Sequence, residues 1–317
     1  MQLDIIDPSD DWSEEERQVR ARRMATYSIK AILAAREIAR KYVIFPELRA
    51  VLAAFDRVYQ LSREVGLPQG IVLTGPPGSS KTSVATYFMR SLPPASDVAD
   101  GFGALSLRMR PSASAGFVIS QILNAVRHPF TTVRQDRITP MRDIACEALQ
   151  HKGTRVIFVD EAQCLLQRSR PRAGDDRDTS AGNLLREMMD IAGVGLVLLG
   201  DHRLHSLEEV DQGLADRVSV RMSLGPFGND GTWATFLSEL ARNVKAIDLG
   251  LLADDSVRAS THAATGGCRR AVMRLVVEAV LVAVDAESTA VTQAHLRLAY
   301  QRTSGPCHAV PNPYGND

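Results

Sequence analysis

Short apolar runs alternate along this chain with longer segments in which apolar residues return every three or four positions. The runs at 70–74, 103–108, 155–159, 195–199 and 218–222 predict strands, and the stretches 81–92, 113–127, 140–151 and 179–192 between them predict helices. A strand followed by a helix returns to the sheet in the same direction, so the expectation is an α/β domain whose five-stranded parallel sheet is covered on both faces. Pro46 opens a further helix ahead of the first strand, with Leu48, Val51, Leu52, Phe55, Val58 and Leu61 on one face and Gly66 and Pro68 closing it. From about residue 229 the period is helical alone. Runs near 229–243, 254–264, 267–286 and 291–302 predict a small all-helical lid.

The two ends differ from this pattern. Residues 13–42 begin Ser13-Glu14-Glu15-Glu16, a serine cap followed by acids in the first turn, and predict one or two helices. This arm carries Arg17, Arg20, Arg22, Arg23, Lys30, Arg36, Arg40 and Lys41, a charge that suits DNA, an acidic neighbour or a plain solvated face. The tail from Ser304, punctuated by Pro306, Pro311, Pro313 and Gly315, is expected to be flexible. The expected organisation is a helical arm (1–45), a nucleotide-binding α/β domain (46–228), a helical lid (229–303) and the tail (304–317).

The first strand breaks into Gly75-Pro76-Pro77-Gly78-Ser79-Ser80-Lys81-Thr82-Ser83, the pattern of a phosphate loop, or Walker A motif. A strand that ends abruptly at a helix start aims successive backbone N–H groups and the helix N-terminus at a triphosphate. Gly75 and Gly78 permit the turn, Lys81 reaches the β- and γ-phosphates and the Thr82 hydroxyl ligates Mg²⁺, so ATP with Mg²⁺ is the expected ligand pair. Ser80 stands where glycine is usual, and its Cβ is expected to crowd the phosphates.

Thr154-Arg155-Val156-Ile157-Phe158-Val159-Asp160-Glu161 is a buried-type strand ending in two acids, a Walker B pattern. In a doubly wound sheet the carboxyl ends of the strands share one crevice, which places Asp160 at the metal and leaves Glu161 to polarise the attacking water. The next strand delivers Asp201-His202-Arg203 to the same edge, where Asp201 would sense the γ-phosphate only if a cation offsets its charge. Arg217, ahead of the last strand, is placed to reach a neighbouring subunit's γ-phosphate, with a plain surface salt bridge as its alternative. At the start of a lid helix, Arg270, or else Arg269, can lean back onto the phosphates.

Composition narrows the partners. Hydrophobic residues make up 45% and charged residues 23%, as in an ordinary globular protein. Lys+Arg and Asp+Glu both total 37, so no global field draws the chain onto DNA and any such binding rests on local patches. Four scattered cysteines without a C-x-x-C pair argue against zinc and a disulfide scaffold, and fit a reducing cytoplasm. No apolar run approaches the ~18 residues of a membrane span, so no membrane partner is expected.

The phosphate loop, Asp160-Glu161 after the third strand, Asp201 after the fourth, Arg217 before the fifth and Gly267-Cys268-Arg269-Arg270 in a helical lid together resemble the AAA+ ATPases over about residues 46–303. Val159-Asp160-Glu161-Ala162-Gln163, the run from Gly195 to Arg203, and Met109-Arg110-Pro111-Ser112 before a helix are most similar to the transposition ATPases, the group that holds phage Mu B, TniB and TnsC. The resemblance implies an ATPase that assembles as a ring or helical homo-oligomer on duplex DNA without sequence specificity. It also implies target selection and stimulation of a transposase, with a target-selection adaptor as a further partner.

The resemblance favours Arg127, Thr131, Thr132, Arg134 and Arg137 for DNA contact; Arg168, Arg170, Arg172 and Arg177 form a second candidate patch. Alternatives are another DNA-handling ATPase, such as a helicase loader, and a scaffold that binds nucleotide without hydrolysing it.

Overall fold

The computed structural model describes residues 27–93, 101–167, 181–304 and 311–315. They form two compact units. One comprises residues 44–232 together with 266–271, and the other joins the residues before 44 to 233–265 and the chain from 272 onward.

The first unit is built on five parallel strands, β1 (Gly70–Thr74), β2 (Ala104–Arg108), β3 (Val156–Asp160), β4 (Gly195–Gly200) and β5 (Val220–Ser223), in the order β2-β3-β4-β1-β5. The expected strands all form, each within two residues of its predicted start and end. β1 and β4 are buried at every position, as is β3 until Asp160, whereas the edge strands β2 and β5 expose side chains.

The strand period of two then sorts the core into two layers. Ile157, Val159, Leu196 and Leu198 pack with α4 (Ala115–Ala125), α5 (Ile138–His151) and α6 (Ala181–Ala192) on one face. Val156, Phe158, Val197 and Leu199 pack with α2 (Pro46–Glu64) and α3 (Lys81–Ser91) on the other. There Phe55 meets Phe158 and Phe88 edge-on, with ring centroids 5.1 and 5.6 Å apart. Two short helices, α7 (Leu207–Val210) and α8 (Gln212–Arg217), precede β5.

The topology fixes where a ligand can sit. The connection leaving β1 is α3, on one face, while α7 and α8, which follow β4, pack on the opposite face through Leu207 and Leu214. Chain ends that diverge this way leave a crevice at the carboxyl ends of β1 and β4.

The second unit is helical: α1 (Ile29–Ala39), α9 (Gly231–Asn243), α10 (Asp255–Thr265), α11 (Arg269–Asp285) and α12 (Gln293–Ser304), of which α9 and α11 begin in the first unit. Helix α1 does not stand apart as an arm. Ser28 caps it, its Oγ accepting from Ala31 N at 3.1 Å, and Ala31, Ala34, Ala35 and Ile38 are buried. Its start is tied to the C-terminal helices by Ser28 N donating to Asp285 Oδ1 and Tyr27 OH donating to Glu278 Oε1. The small-residue face buried here explains the docking: alanines let a helix approach its neighbours closely. The rest of the expected arm, including Arg17, Arg20, Arg22 and Arg23, lies outside the described residues.

Residues 311–315 differ from the expected flexible tail. Tyr314 is buried, its OH donates to Thr261 Oγ1 at 2.9 Å, and its carbonyl accepts from Gln293 Nε2 at 3.1 Å. Proline and glycine set the conformation of this segment, but burial of one aromatic ring outweighs their bias toward solvent. No helix among the described residues is long and apolar enough to cross a membrane.

Candidate nucleotide site

β1 ends at Thr74, and the amide of Gly75 donates to Gly200 O at 3.2 Å, so the phosphate loop departs beside the end of β4. The loop reverses through two left-handed residues, Gly78 (φ 87°) and Ser80 (φ 78°), before Val84 N donates to Ser80 O and α3 begins. Gly78 is needed for space as well as for φ, because a Cβ there would stand 2.7 Å from Cys268 Sγ and 3.3 Å from Arg270 Cβ. Ser80 takes the same backbone region without glycine's freedom, and its side chain makes no capping hydrogen bond. Ser80 thus carries backbone strain that a glycine at this position would not.

Lys81 Nζ donates to Gly75 O (2.7 Å), Pro76 O (3.1 Å) and Ser79 Oγ (3.3 Å), so the ammonium sits inside the loop it is expected to complete. Burial lowers its pKa, and the carboxylates of Asp160, Glu161 and Asp201 pull it back up. Thr82 Oγ1 donates to Asp160 Oδ2 at 3.0 Å, across 78 positions of sequence. Hydroxyl and carboxylate are the two protein ligands expected of a phosphate-bound Mg²⁺, and they already share one point in space, so the donor set fits that ion. Pro77, Gly78, Ser80 and Arg270 line the same cleft, with Arg270 N donating to Gly78 O at 3.3 Å. Of the two lid arginines, Arg270 reaches the cleft; Arg269 is buried elsewhere. Ser83 is exposed in the first turn of α3 and Ser79 is buried beneath the loop.

Glu161 also lines the cleft, in a left-handed conformation (φ 55°) that turns the chain sharply out of β3. Its Oε2 accepts from Gln163 Nε2 at 2.5 Å, and its Oε1 lies 3.9 Å from Arg108 Nη2 at the end of β2. Gln163 Oε1 in turn accepts from Asp201 N at 3.4 Å. One buried amide thus links the expected base to the end of β4, and Gly200 leaves room for it, since a Cβ there would come within 2.6 Å of Gln163 Oε1. Gln163 was visible as part of the Asp-Glu-Ala-Gln run, but only tertiary placement gives it a task.

Asp201 lines the cleft with its charge met by Arg203, whose Nε and Nη2 donate to both carboxylate oxygens at 2.7–3.0 Å. This pairing holds the Asp201 carboxyl below the ordinary carboxylate range. The cation that the sequence demanded at this position is thus two residues away.

Arg217 stands outside the cleft. It makes a two-pronged pair with Asp190 of α6, at 2.7 and 3.2 Å, and donates to Gly213 O at 3.1 Å. Arg221, on β5, borders a separate small cleft with Thr74 and His205. The five residues expected to meet DNA share the segment between α4 and α5, where Thr132 and the three arginines are exposed and Thr131 is half-buried. The second basic patch, Arg168 to Arg177, lies outside the described residues.

A five-stranded parallel sheet in this order, a phosphate loop facing an Asp-Glu strand end and an arginine from the start of α11 define an AAA+ P-loop domain with a helical lid. The chain belongs to the bacterial TniB protein family, whose model matches residues 35–224, more than half its length. It is an AAA+ ATPase of the TniB type.

Solved structures agree on the fold. The Aeropyrum pernix ORC2 protein (ADPNP-ADP complexes) is similar with a TM-score of 0.63 at 14% identity, over 87% of this chain and 73% of that one. The Aeropyrum pernix ORC1 protein in complex with DNA has a TM-score of 0.62 at 20% identity, over 85% and 69%. Pyrobaculum aerophilum Cdc6p has a TM-score of 0.57 at 12% identity, over 83% and 69%. No curated protein matches the chain.

Proposed function

We propose that the protein is an ATP-dependent regulator of transposition that assembles on duplex DNA, selects a target and activates a transposase. The observation that carries the nucleotide half is the 3.0 Å contact between Thr82 Oγ1 and Asp160 Oδ2 beside Lys81, which gathers the expected triphosphate and metal ligands into one cleft. Membership of the TniB family supports the transposition half. Similar folds described with ADPNP or with DNA are consistent with both ligands.

In this reading Lys81 leaves the loop carbonyls to meet the β- and γ-phosphates, and the loop amides with the α3 N-terminus hold the remaining oxygens. Thr82 and Asp160 would hold Mg²⁺, which when bound would neutralise charge on the phosphoryl oxygens. Glu161 takes a proton from the attacking water once Gln163 and Arg108 release its carboxylate. Arg217, freed from Asp190, supplies positive charge to a neighbouring subunit's γ-phosphate, so that turnover depends on assembly. An adaptor protein that recruits the oligomer to its target is a further partner in this scheme.

A second reading, a scaffold that binds nucleotide and does not hydrolyse it, draws on the hold that Gln163 has on Glu161. Phosphate release measured with and without duplex DNA separates the two: stimulation by DNA supports the regulator, and a flat baseline unaffected by DNA supports the scaffold. For the assembly itself, Lys81→Ala is expected to abolish ATP-dependent filaments or rings on DNA in electron micrographs, and unchanged assemblies would contradict the role of the loop.

A further inference from the structure

The segment between α4 and α5 holds one large aromatic ring clear of the protein. Phe130 is 72% exposed, more than any other large hydrophobic side chain among the described residues. Exposure alone says little about a single side chain. What sets Phe130 apart is that its backbone is fixed. The left-handed residue Arg127 (φ 58°) ends α4, with His128 N donating to Leu123 O at 2.8 Å. The His128 ring nitrogen Nδ1 lies 3.2 Å from Phe130 N and 3.0 Å from Phe130 O, and the two rings are 6.1 Å apart. Three residues on, Val133 packs over Gly116 near the start of α4, 3.5 Å from where a Cβ would stand. Both flanks of the aromatic tip are therefore tied to the helix, and ordering it on contact loses little entropy.

The surroundings are cationic. Arg127, Arg134 and Arg137 are exposed in the same segment, against Asp136 as its one acid. A fixed, exposed apolar ring in a segment that carries three exposed arginines and one acid is complementary to a polyanion with apolar faces behind it. Duplex DNA offers both: phosphates outside and stacked bases within.

We propose that Phe130 inserts as a wedge between adjacent base pairs of duplex DNA while Arg127, Arg134 and Arg137 grip the flanking phosphates. This deepens the DNA-binding reading above and rests on it. A wedge of this kind partly unstacks one step and kinks the duplex. Because pyrimidine–purine steps unstack most easily, the protein would favour deformable targets without reading any base edge.

The test uses the full chain with ATP and duplexes carrying 2-aminopurine, which brightens when unstacked, with binding followed separately by fluorescence anisotropy. The native protein is expected to raise 2-aminopurine emission several-fold. Phe130→Ala should lose that rise and bind about ten-fold more weakly, whereas Phe130→Trp should keep it. Arg134→Ala and Arg137→Ala should each lower the salt dependence of binding by about one unit and leave the rise in place. A rise that persists in Phe130→Ala, or native protein that binds DNA with emission unchanged, overturns the wedge while leaving the DNA-binding reading intact. No DNA binding by the native protein at low salt overturns both. Because Phe130 is exposed, an unchanged melting temperature of Phe130→Ala checks that the fold is kept.

Discussion

At the scale of single residues, the strained positions are the informative ones. Ser80 and Glu161 both hold positive φ without being glycine, and both border the cleft. A side chain in this region costs about 1–2 kcal/mol. Ser80→Gly is therefore expected to raise the stability of the α/β unit by about 1 kcal/mol, seen as a thermal midpoint about 2–4 °C higher. No change in the midpoint would show that the serine is accommodated without strain.

Gln163 makes a different kind of claim, since it touches the expected base without being expected to touch ATP. If its amide holds Glu161, Gln163→Ala should alter the rate of phosphate release with little effect on the Kd for ATP. A large loss of ATP affinity instead would make Gln163 part of the binding surface. Arg217→Ala should reduce turnover about 10³-fold or more with ATP binding retained, and a normal rate would leave Arg217 as the Asp190 salt bridge that the structure displays. That pair is half-exposed, so its loss alone is worth no more than about 1 kcal/mol of stability.

At the scale of elements, the sheet positions the chemistry because its central strands are buried on both faces. Phe158 shows why: it is fully buried, edge-on to Phe55, two residues before Asp160 on β3. Phe158→Ala should destabilise the α/β unit by about 3–5 kcal/mol, measured by urea unfolding. The cavity would also loosen the strand that aims Asp160 and Glu161. A loss under about 1 kcal/mol would mean that the two-layer core repacks around the gap.

The strands and the phosphate loop were legible in the sequence because a run such as Val156-Ile157-Phe158-Val159 has few alternatives to a buried strand, and a Gly-rich turn into Lys-Thr has a narrow set of uses. The Arg203–Asp201 pair and the Gln163 link were not. Each joins groups whose approach depends on how the strand end turns, and sequence spacing does not encode that direction.

At the scale of the whole molecule, two segments at opposite ends of the chain join the C-terminal helices. Helix α1 buries its alanine face there, and Tyr314 returns from a proline-rich tail to bond Thr261. Burial pushes the Tyr314 pKa up to about 12. A raised phenol pKa means the folded state favours the neutral form, so its contribution to stability is intact below pH 10 and is lost as pH rises toward 12. The native chain should accordingly lose stability over that window faster than Tyr314→Phe, as measured by urea midpoints. Equal slopes would place the ring in water. At neutral pH the same substitution removes one buried hydrogen bond, about 1 kcal/mol.

The sequence by itself determined the class of fold, the order of its elements and the residues of the phosphate loop and Asp-Glu strand end. Those are set by local period and by turn chemistry, which act between near neighbours. Tertiary structure alone decided that Arg270 and not Arg269 enters the cleft, that Gln163 links Glu161 to β4, that Arg203 pairs with Asp201, and that Tyr314 is anchored. These depend on the direction in which side chains leave packed elements, and packing between residues far apart in the chain is what fixes that direction.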